Sequence, residues 1–426
     1  MQADQVTLMS TGEDRFRGLP MRNDIGQAMV DQGLTFLRYG GTMINIPGYR
    51  FKKMIGDRDK RPPYHGHWYR WSTNGFGIED FLQFCEKAGF TAAFAVNIEE
   101  TPQDMADMIE YLNGPVTSEW GRRRAENGHP EPYGVKYIGI GNEEVLFNGD
   151  RADEYDHYVE RFNLLHDAIK GKDPSVKLIS TAWWRADSPS MERTFRALDG
   201  KADYWDYHPW ADQLASGREV EAELRRMREL FLRWNPSTTM KCAIFEENGN
   251  RHDMQRVLGH VTLQNAVRRM GDFVLTSCAA NALQPYRQND NGWDQGQVFF
   301  TPSQVWGMPP LLCAADGCGT PPSPDGRLRG RGRRRGARRG GNPQPRGGER
   351  RAPHRQYGCR AAACGPARGR DGEGFPSPHG FALGRPRRGE HPRRAAPHRP
   401  RRAGTAGPGC ADCRHSALLL YDRGAG

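Results

Sequence analysis

An α/β chain built as an eight-stranded (β/α)8 TIM-type barrel is the fold class this sequence predicts, and three observations predict it. Seven short β-type runs alternate with amphipathic helical stretches through residues 1–310, the pattern of a parallel sheet. No glycine-rich phosphate loop follows any of them: Gly139-Ile-Gly141 lacks a third glycine and leads into two glutamates, which argues against a dinucleotide-binding sheet. Two of the runs end in glutamate, and a barrel carries its chemistry at the carboxyl ends of its strands.

The elements follow in order. A helix is expected over 23–32 and a strand over 34–38, then a helix over 77–88 with Ile78, Phe81, Leu82 and Cys85 on one face. Residues 91–97 read as an apolar strand. Thr101-Pro-Gln-Asp opens the next helix, with a capping residue and Pro at the first helical position. Strands are expected over 135–141, 176–181, 203–208, 241–245 and 273–283. Helices are expected over 154–170, 219–234 and 254–270, the middle one burying Val220, Leu224, Met227, Leu230 and Phe231.

The 426 residues carry a formal net charge of +10, which taken alone would point to nucleic acid or a membrane surface. That charge is local. Residues 311–426 hold 25 Arg, no Lys and 8 acidic residues, so residues 1–310 are net acidic at −7. The same segment has 23 Gly and 14 Pro and no Ile, Val, Met or Trp. It buries too little apolar surface to offset its chain entropy, so the reading is a globular domain over 1–310 and a disordered tail over 311–426. Gly, Ala, Arg and Pro share codons beginning with two G/C bases, so a GC-rich gene read out of frame gives this mixture. A frameshift after Pro310 is the expected origin of the tail. The rival, an RNA-binding tail, normally repeats Arg-Gly-Gly with interleaved aromatics; here the triplet occurs only at Arg339–Gly341 and Arg346–Gly348. No specific nucleic-acid partner is expected.

Cysteine and hydropathy exclude further classes. Cys85, Cys242 and Cys278 make no disulfide framework, and Cys410-Ala-Asp-Cys413 lacks a second pair to complete a zinc site. Nothing in residues 1–310 has metal-ligand spacing, so neither metal nor cofactor is expected. The start, Met1-Gln-Ala-Asp-Gln-Val, has no basic region before an apolar core, and no apolar run approaches the ~20 residues of a membrane span. A cytoplasmic protein without a membrane partner is the expectation. Homo-oligomerisation is left open.

The chemistry is carried by the strand ends. Val135–Gly141 runs into Asn142-Glu143-Glu144, and Lys241–Phe245 into Glu246-Glu247-Asn248. Acidic residues at strand ends are ordinarily solvated loop positions. Two such ends in one barrel are also what a retaining glycosidase needs: one protonated carboxyl to donate to the leaving oxygen and one ionised to attack the anomeric carbon, about 5 Å apart. Adjacent strand residues point to opposite sides, so one member of each pair faces the mouth.

These residues carry a family resemblance. Leu37-Arg-Tyr-Gly-Gly41, Asn74-Gly-Phe-Gly77, Phe81–Glu86, Ile109–Asn113 and Tyr137-Ile-Gly-Ile-Gly-Asn-Glu143 resemble glycoside hydrolase family 51, best known for α-L-arabinofuranosidases. The resemblance runs from about Gln5 to Pro310. It implies a (β/α)8 barrel, Glu143 as acid/base, Asn142 on the sugar 2-hydroxyl and Glu246 as nucleophile, with Glu247 in the slot of the family's Glu-Trp-Asn tryptophan. It also implies a barrel strand upstream and a β-sandwich after the barrel, and neither is expected in this chain. Departures include Arg38-Tyr-Gly-Gly for Arg-Tyr-Pro-Gly-Gly and His208-Pro-Trp210 for His-x-Tyr. Trp293-Asp-Gln295 resembles the family's Trp-x-Gln, whose Gln binds sugar hydroxyls.

Other candidates come from the residues themselves. His208 follows a strand and is a candidate to orient the nucleophile or touch the sugar, with a structural histidine as the alternative. Trp71, Trp210 and Trp293 are candidates to stack on a sugar's apolar face. Arg38 is a candidate to hold a carboxylate by a bidentate pair, and Asn45, past the Gly40-Gly41 turn, to reach a hydroxyl. The leading function is release of terminal α-L-arabinofuranosyl residues from plant oligosaccharides or polysaccharides. The alternatives are β-xylosidase or β-glucanase specificity, or a non-catalytic carbohydrate-binding barrel.

Overall fold

The computed structural model describes residues 12, 14–68, 70–287 and 295–308, all within the first of the two units into which the chain divides, Met1–Arg333. Trp293, the break after Pro310, the Arg-rich segment and the Cys410–Cys413 motif lie outside the described residues.

Helix α1 (Asn23–Asp31) leads into the first barrel strand, β1 (Phe36–Tyr39). An irregular stretch follows, with 3-10 turns and a short antiparallel pair, β2 (Tyr64–His65) and β3 (Trp71–Ser72). Then come α2 (Ile78–Ala88), β4 (Thr91–Val96), α3 (Pro102–Asn113), α4 (Glu119–Glu126), β5 (Tyr137–Glu144) and α5 (Ala152–Lys172). The alternation continues through β6 (Lys177–Ala182), α6 (Met191–Leu198), β7 (Tyr204–Asp206), α7 (Ser216–Trp234), β8 (Lys241–Glu247), α8 (Met254–Arg269) and β9 (Val274–Ala279). A separate three-stranded sheet, β10 (Leu283–Pro285), β11 (Val298–Phe300) and β12 (Val305–Gly307), ends the described chain.

Local chemistry sets these boundaries. Thr101 caps α3, its hydroxyl oxygen accepting from the Asp104 amide at 3.0 Å, with Pro102 next in line. Gly89, at φ +81°, ends α2 in the left-handed conformation that glycine adopts without penalty.

Among the described residues the main sheet has seven strands, all parallel, in the order β1-β4-β5-β6-β7-β8-β9. It curls into a nearly closed barrel whose gap lies between β1 and β9. Ala93, Ile179, Ala243 and Phe245 pack inside it, with Phe36, Tyr137 and Tyr204 around them, the layered filling of a barrel with no pore. Outside, Trp184, Trp205, Phe195 and Phe231 lock α6 and α7 onto β6 and β7.

Three differences from the sequence reading have physical causes. The single strand expected over 273–283 is two: β9 stops at Ala279, and Leu283–Pro285 pairs with β11 in the other sheet. Helix α4 shows little apolar periodicity in Glu-Trp-Gly-Arg-Arg-Arg-Ala-Glu. It is fixed by Arg124, fully buried, which donates to the carbonyls of Tyr111 at 2.6 Å and of Gly114 and Pro130 at 2.9 Å. Strand β5 runs three residues past its expected end, into the glutamates themselves.

Candidate active site

The site forms where β1, β5, β7 and β8 end. On β5 the ladder to β6 is interrupted: Ile140 pairs with Ser180, but the next partners are Glu144 and Ala182, so four residues of β5 cover two of β6. Gly141 makes this bulge possible. Its φ is +93°, and a Cβ there would stand 2.6 Å from Glu144 and 2.7 Å from the Thr181 hydroxyl. Glu143 follows with φ +49°, a left-handed turn for a residue with a side chain, and so projects into the mouth.

Its carboxylate meets His208. The His208 Nδ1 stands 2.9 Å from Glu143 Oε1 and 3.7 Å from Glu246 Oε2, and its Nε2 lies 3.0 Å from Asp206 Oδ2. The acceptor atoms of Glu143, His208 and Glu246 all lie within 4.8 Å of one another, so the two glutamates sit at close-pair distance. Trp183, at the end of β6, sets its ring edge-on to His208, centroids 6.1 Å apart. Arg38 at the end of β1 completes the ring of charges, with Nη1 at 3.3 Å from Glu246 Oε2 and Nη2 donating to Asn142 Oδ1 at 2.6 Å.

Three carboxyl groups, those of Glu143, Asp206 and Glu246, face the Arg38 guanidinium and the His208 ring. Burial disfavours charge on His208. The Asp206 and Glu246 carboxylates and the hydrogen bonds to Asp206 and Glu143 outweigh it and raise the pKa to about 10. The ring is therefore an imidazolium at neutral pH and donates from both nitrogens. Glu143, His208 and Glu246 have the donor types of a metal site, and in this structure the His208 Nδ1 serves the Glu143 carboxylate.

The partner of each mouth glutamate points elsewhere. Glu247 is buried against α8 and β9, paired with His260 and accepting from Gln264 at 2.9 Å and Ser277 at 3.0 Å. Burial pushes its carboxyl up, but His260, Ser277 and Arg256 prevail and hold it below the usual carboxylate range. Glu144 accepts from the Asn45 amide at 2.6 Å and the Asn142 backbone at 3.1 Å. There burial prevails over those bonds, and its pKa rises to about 7.

Other sequence candidates fall in different places. Arg38 does hold a carboxylate, but singly, sharing its guanidinium between Glu246 and Asn142; the bidentate pair is not formed. Asn45 braces the β5 bulge through Asn142 O at 3.0 Å and Glu144, so its amide is engaged by the protein. Gln295 is fully buried behind β8, accepting from Gly249 N at 2.7 Å and donating to Asn248 at 3.1 Å, with no amide group turned to the mouth. Trp210 is exposed, its backbone bridged to Asn248. Trp71 is exposed on β3 beside His65. Asn142 keeps its amide Nδ2 buried and without a hydrogen-bond partner, a donor left for a ligand.

Two residues of the site escaped the sequence reading. Asp206 was legible: Asp206-Tyr-His208 at a strand end puts the two polar side chains on one face. Trp183 was not, because Trp183-Trp184 gives no sign of which ring turns inward. A cavity of about 590 Å³ also opens in the gap between β1 and β9, lined by Arg38, Glu246 and Cys278 together with Met29, Phe81 and Phe84.

A nearly closed parallel barrel with paired glutamates at the ends of two strands is an arrangement that suits glycoside hydrolysis. Comparison with known proteins narrows the class. Residues 28–224 match the family model of the α-L-arabinofuranosidase 1 domain. α-L-Arabinofuranosidase 2 of Arabidopsis thaliana is 26% identical over 328 residues, covering 72% of this chain and 44% of that protein. A probable α-L-arabinofuranosidase A of Aspergillus flavus is 29% identical over 194 residues, 40% of this chain and 30% of that protein. Among solved structures, the family 51 arabinofuranosidase of Xanthomonas axonopodis pv. citri superposes with a TM-score of 0.62 at 17% identity, over 72% of this chain and 68% of that one. The Thermotoga maritima α-L-arabinofuranosidase in complex with arabinose gives 0.59 at 21% identity, over 70% and 63%. The chain is similar to α-L-arabinofuranosidases, its fold resembles that of the family 51 enzymes, and it spans less than half the length of the Arabidopsis relative.

Proposed function

We propose that this chain is a retaining glycosidase that releases terminal α-L-arabinofuranosyl residues from arabinose-containing oligosaccharides or polysaccharides. The observation that supports it most is the spacing of Glu143 and Glu246, whose oxygens lie within 4.8 Å; retaining enzymes hold their carboxyls about 5–5.5 Å apart, too close for an intervening attacking water.

In this reading Glu246 attacks the anomeric carbon while the glycosidic bond breaks and Glu143 gives its proton to the departing oxygen. A water then enters, Glu143 takes its proton, and the glycosyl–Glu246 ester is cleaved with the original configuration restored. Arg38 favours negative charge on Glu246 before attack and after release, and the unpartnered Asn142 amide donates to a sugar hydroxyl beside the anomeric carbon. The sugar identity rests on the relatives, several of which are named α-L-arabinofuranosidases.

Incubating the full chain with an aryl α-L-arabinofuranoside and following the first-formed sugar by proton NMR tests this. Arabinose of retained configuration is the expected product. Preference for a β-xyloside or for internal β-glucan bonds would move the substrate to the alternative, and an inverted product would reject the mechanism.

A further inference from the structure

His208 contacts both mouth glutamates, so what holds His208 governs the site. Its ring is buried, and around it stand Glu143 from β5, Trp183 after β6, Asp206 from β7 and Glu246 from β8, with Arg38 of β1 behind Glu246. Cys242 of β8 and Cys278 of β9 are the further titratable groups near Asp206, and burial raises both thiols, so neither brings charge.

Asp206 is almost wholly buried, with its side chain 1% exposed. Each of its oxygens has one partner. Oδ2 receives His208 Nε2–H at 3.0 Å, and Oδ1 receives the backbone N–H of Phe245 at 2.9 Å. Phe245 is the residue before Glu246. One carboxylate is thereby bonded both to the strand that presents Glu246 and to the ring that holds Glu143.

We propose that Asp206 is the positioning residue of this site: it fixes the His208 ring as a doubly protonated donor and, through it and the Phe245 amide, sets the distance and charge relation between Glu143 and Glu246. The proposal rests on the glycosidase reading only for its consequence in turnover. A buried carboxylate opposite one nitrogen keeps that nitrogen protonated, and the other N–H is then directed at Glu143. The imidazolium stays charged while Glu143 passes its proton to and fro, so it stabilises Glu143 in its ionised turn and is not itself the base. The raised pKa of His208 agrees with that arrangement. Replacing Asp206 by Asn removes the charge and keeps the shape. The ring then loses its second proton near neutrality, and Glu143 and Glu246 face a neutral imidazole.

Histidine-selective 15N labelling of the full chain reads this directly, with His208 assigned by the signals lost in His208→Gln. In the parent both ring nitrogens are expected to stay protonated to about pH 9. In Asp206→Asn the midpoint is expected to fall by about two pH units or more, and Asp206→Glu, which restores the charge, is expected to recover part of it. The same variants are assayed on an aryl α-L-arabinofuranoside: the pH profile of kcat/KM is expected to shift in Asp206→Asn. A His208 that titrates alike in parent and Asp206→Asn overturns the proposal. If Asp206→Asn does not fold, a parent His208 already neutral at about pH 8 overturns it equally. A parent without glycosidase turnover whose His208 behaves as expected overturns the substrate reading and supports the Asp206 arrangement.

Discussion

The ends of β5 and β8 perform the same task by different means. Each offers two consecutive glutamates and turns one to the mouth. On β8 the ladder to β9 shifts register between Ile244 and Glu247, and Glu246 faces Arg38 and His208 while Glu247 faces α8. On β5 alternation is broken, and a bulge at Gly141 with a left-handed Glu143 makes the choice. The glutamates turned away differ too. Glu247 sits in a made-to-fit pocket of donors and is stabilised as an anion, whereas Glu144 has two donors and a buried environment that favours its neutral form. One irregular strand end gives a mouth residue whose neighbour is fully satisfied, and the other gives one whose neighbour is only loosely satisfied.

The largest expected effect separates the two mouth residues. Glu246→Ala should lower turnover by on the order of 10⁴ or more, about 5.5 kcal/mol of transition-state stabilisation. Azide added to that variant should yield a glycosyl azide of inverted configuration, and with Glu143→Ala one of retained configuration. Exchange of those two outcomes would exchange the roles of the strand ends.

Next in size is Glu247→Ala. It should cost about 3–5 kcal/mol of stability, because His260 is left buried without its partner, while turnover per folded molecule changes little. Chemical denaturation and active-site titration separate the two. The sign of the pH dependence follows from the shifts. Glu247, lowered in the fold, contributes above the ordinary carboxylate range and loses that contribution as pH falls through its depressed value. His260, raised in the fold by Glu247 against the opposing effect of burial, contributes below its ordinary value and loses it as pH rises through its elevated one. The pair is therefore strongest between the ordinary carboxyl value of 4.5 and the ordinary imidazole value of 6.5.

The smallest effect belongs to Glu144→Gln. A carboxyl raised to about 7 by burial favours folding below its ordinary value and costs stability as pH rises through 7. The variant should match the parent's melting temperature in mild acid and exceed it above pH 7. A parent that is the more stable of the two above pH 7 would show that Asn45 and the Asn142 amide satisfy the anion after all.

Much of this protein was determined locally and can be read locally. Strand–helix alternation, the Thr101-Pro102 helix start and the two glutamate-terminated strands follow from residue spacing, because side-chain periodicity and capping act within one element. That one glutamate of each pair faces the mouth was legible for the same reason; which one was not, because β5 and β8 both shift register at their ends. What the tertiary structure alone decided are the matters that need a second element. Arg38 divides its guanidinium between two strands, Asn45 and Gln295 turn their amides to the protein, and β9 ends where another sheet competes for the chain. Asp206 shows the boundary most clearly. Its place beside His208 is written in a two-residue spacing, but its second bond, to the amide preceding Glu246, exists only because β7 lies next to β8, and hydrogen bonds between strands depend on a register that one strand's residues do not contain.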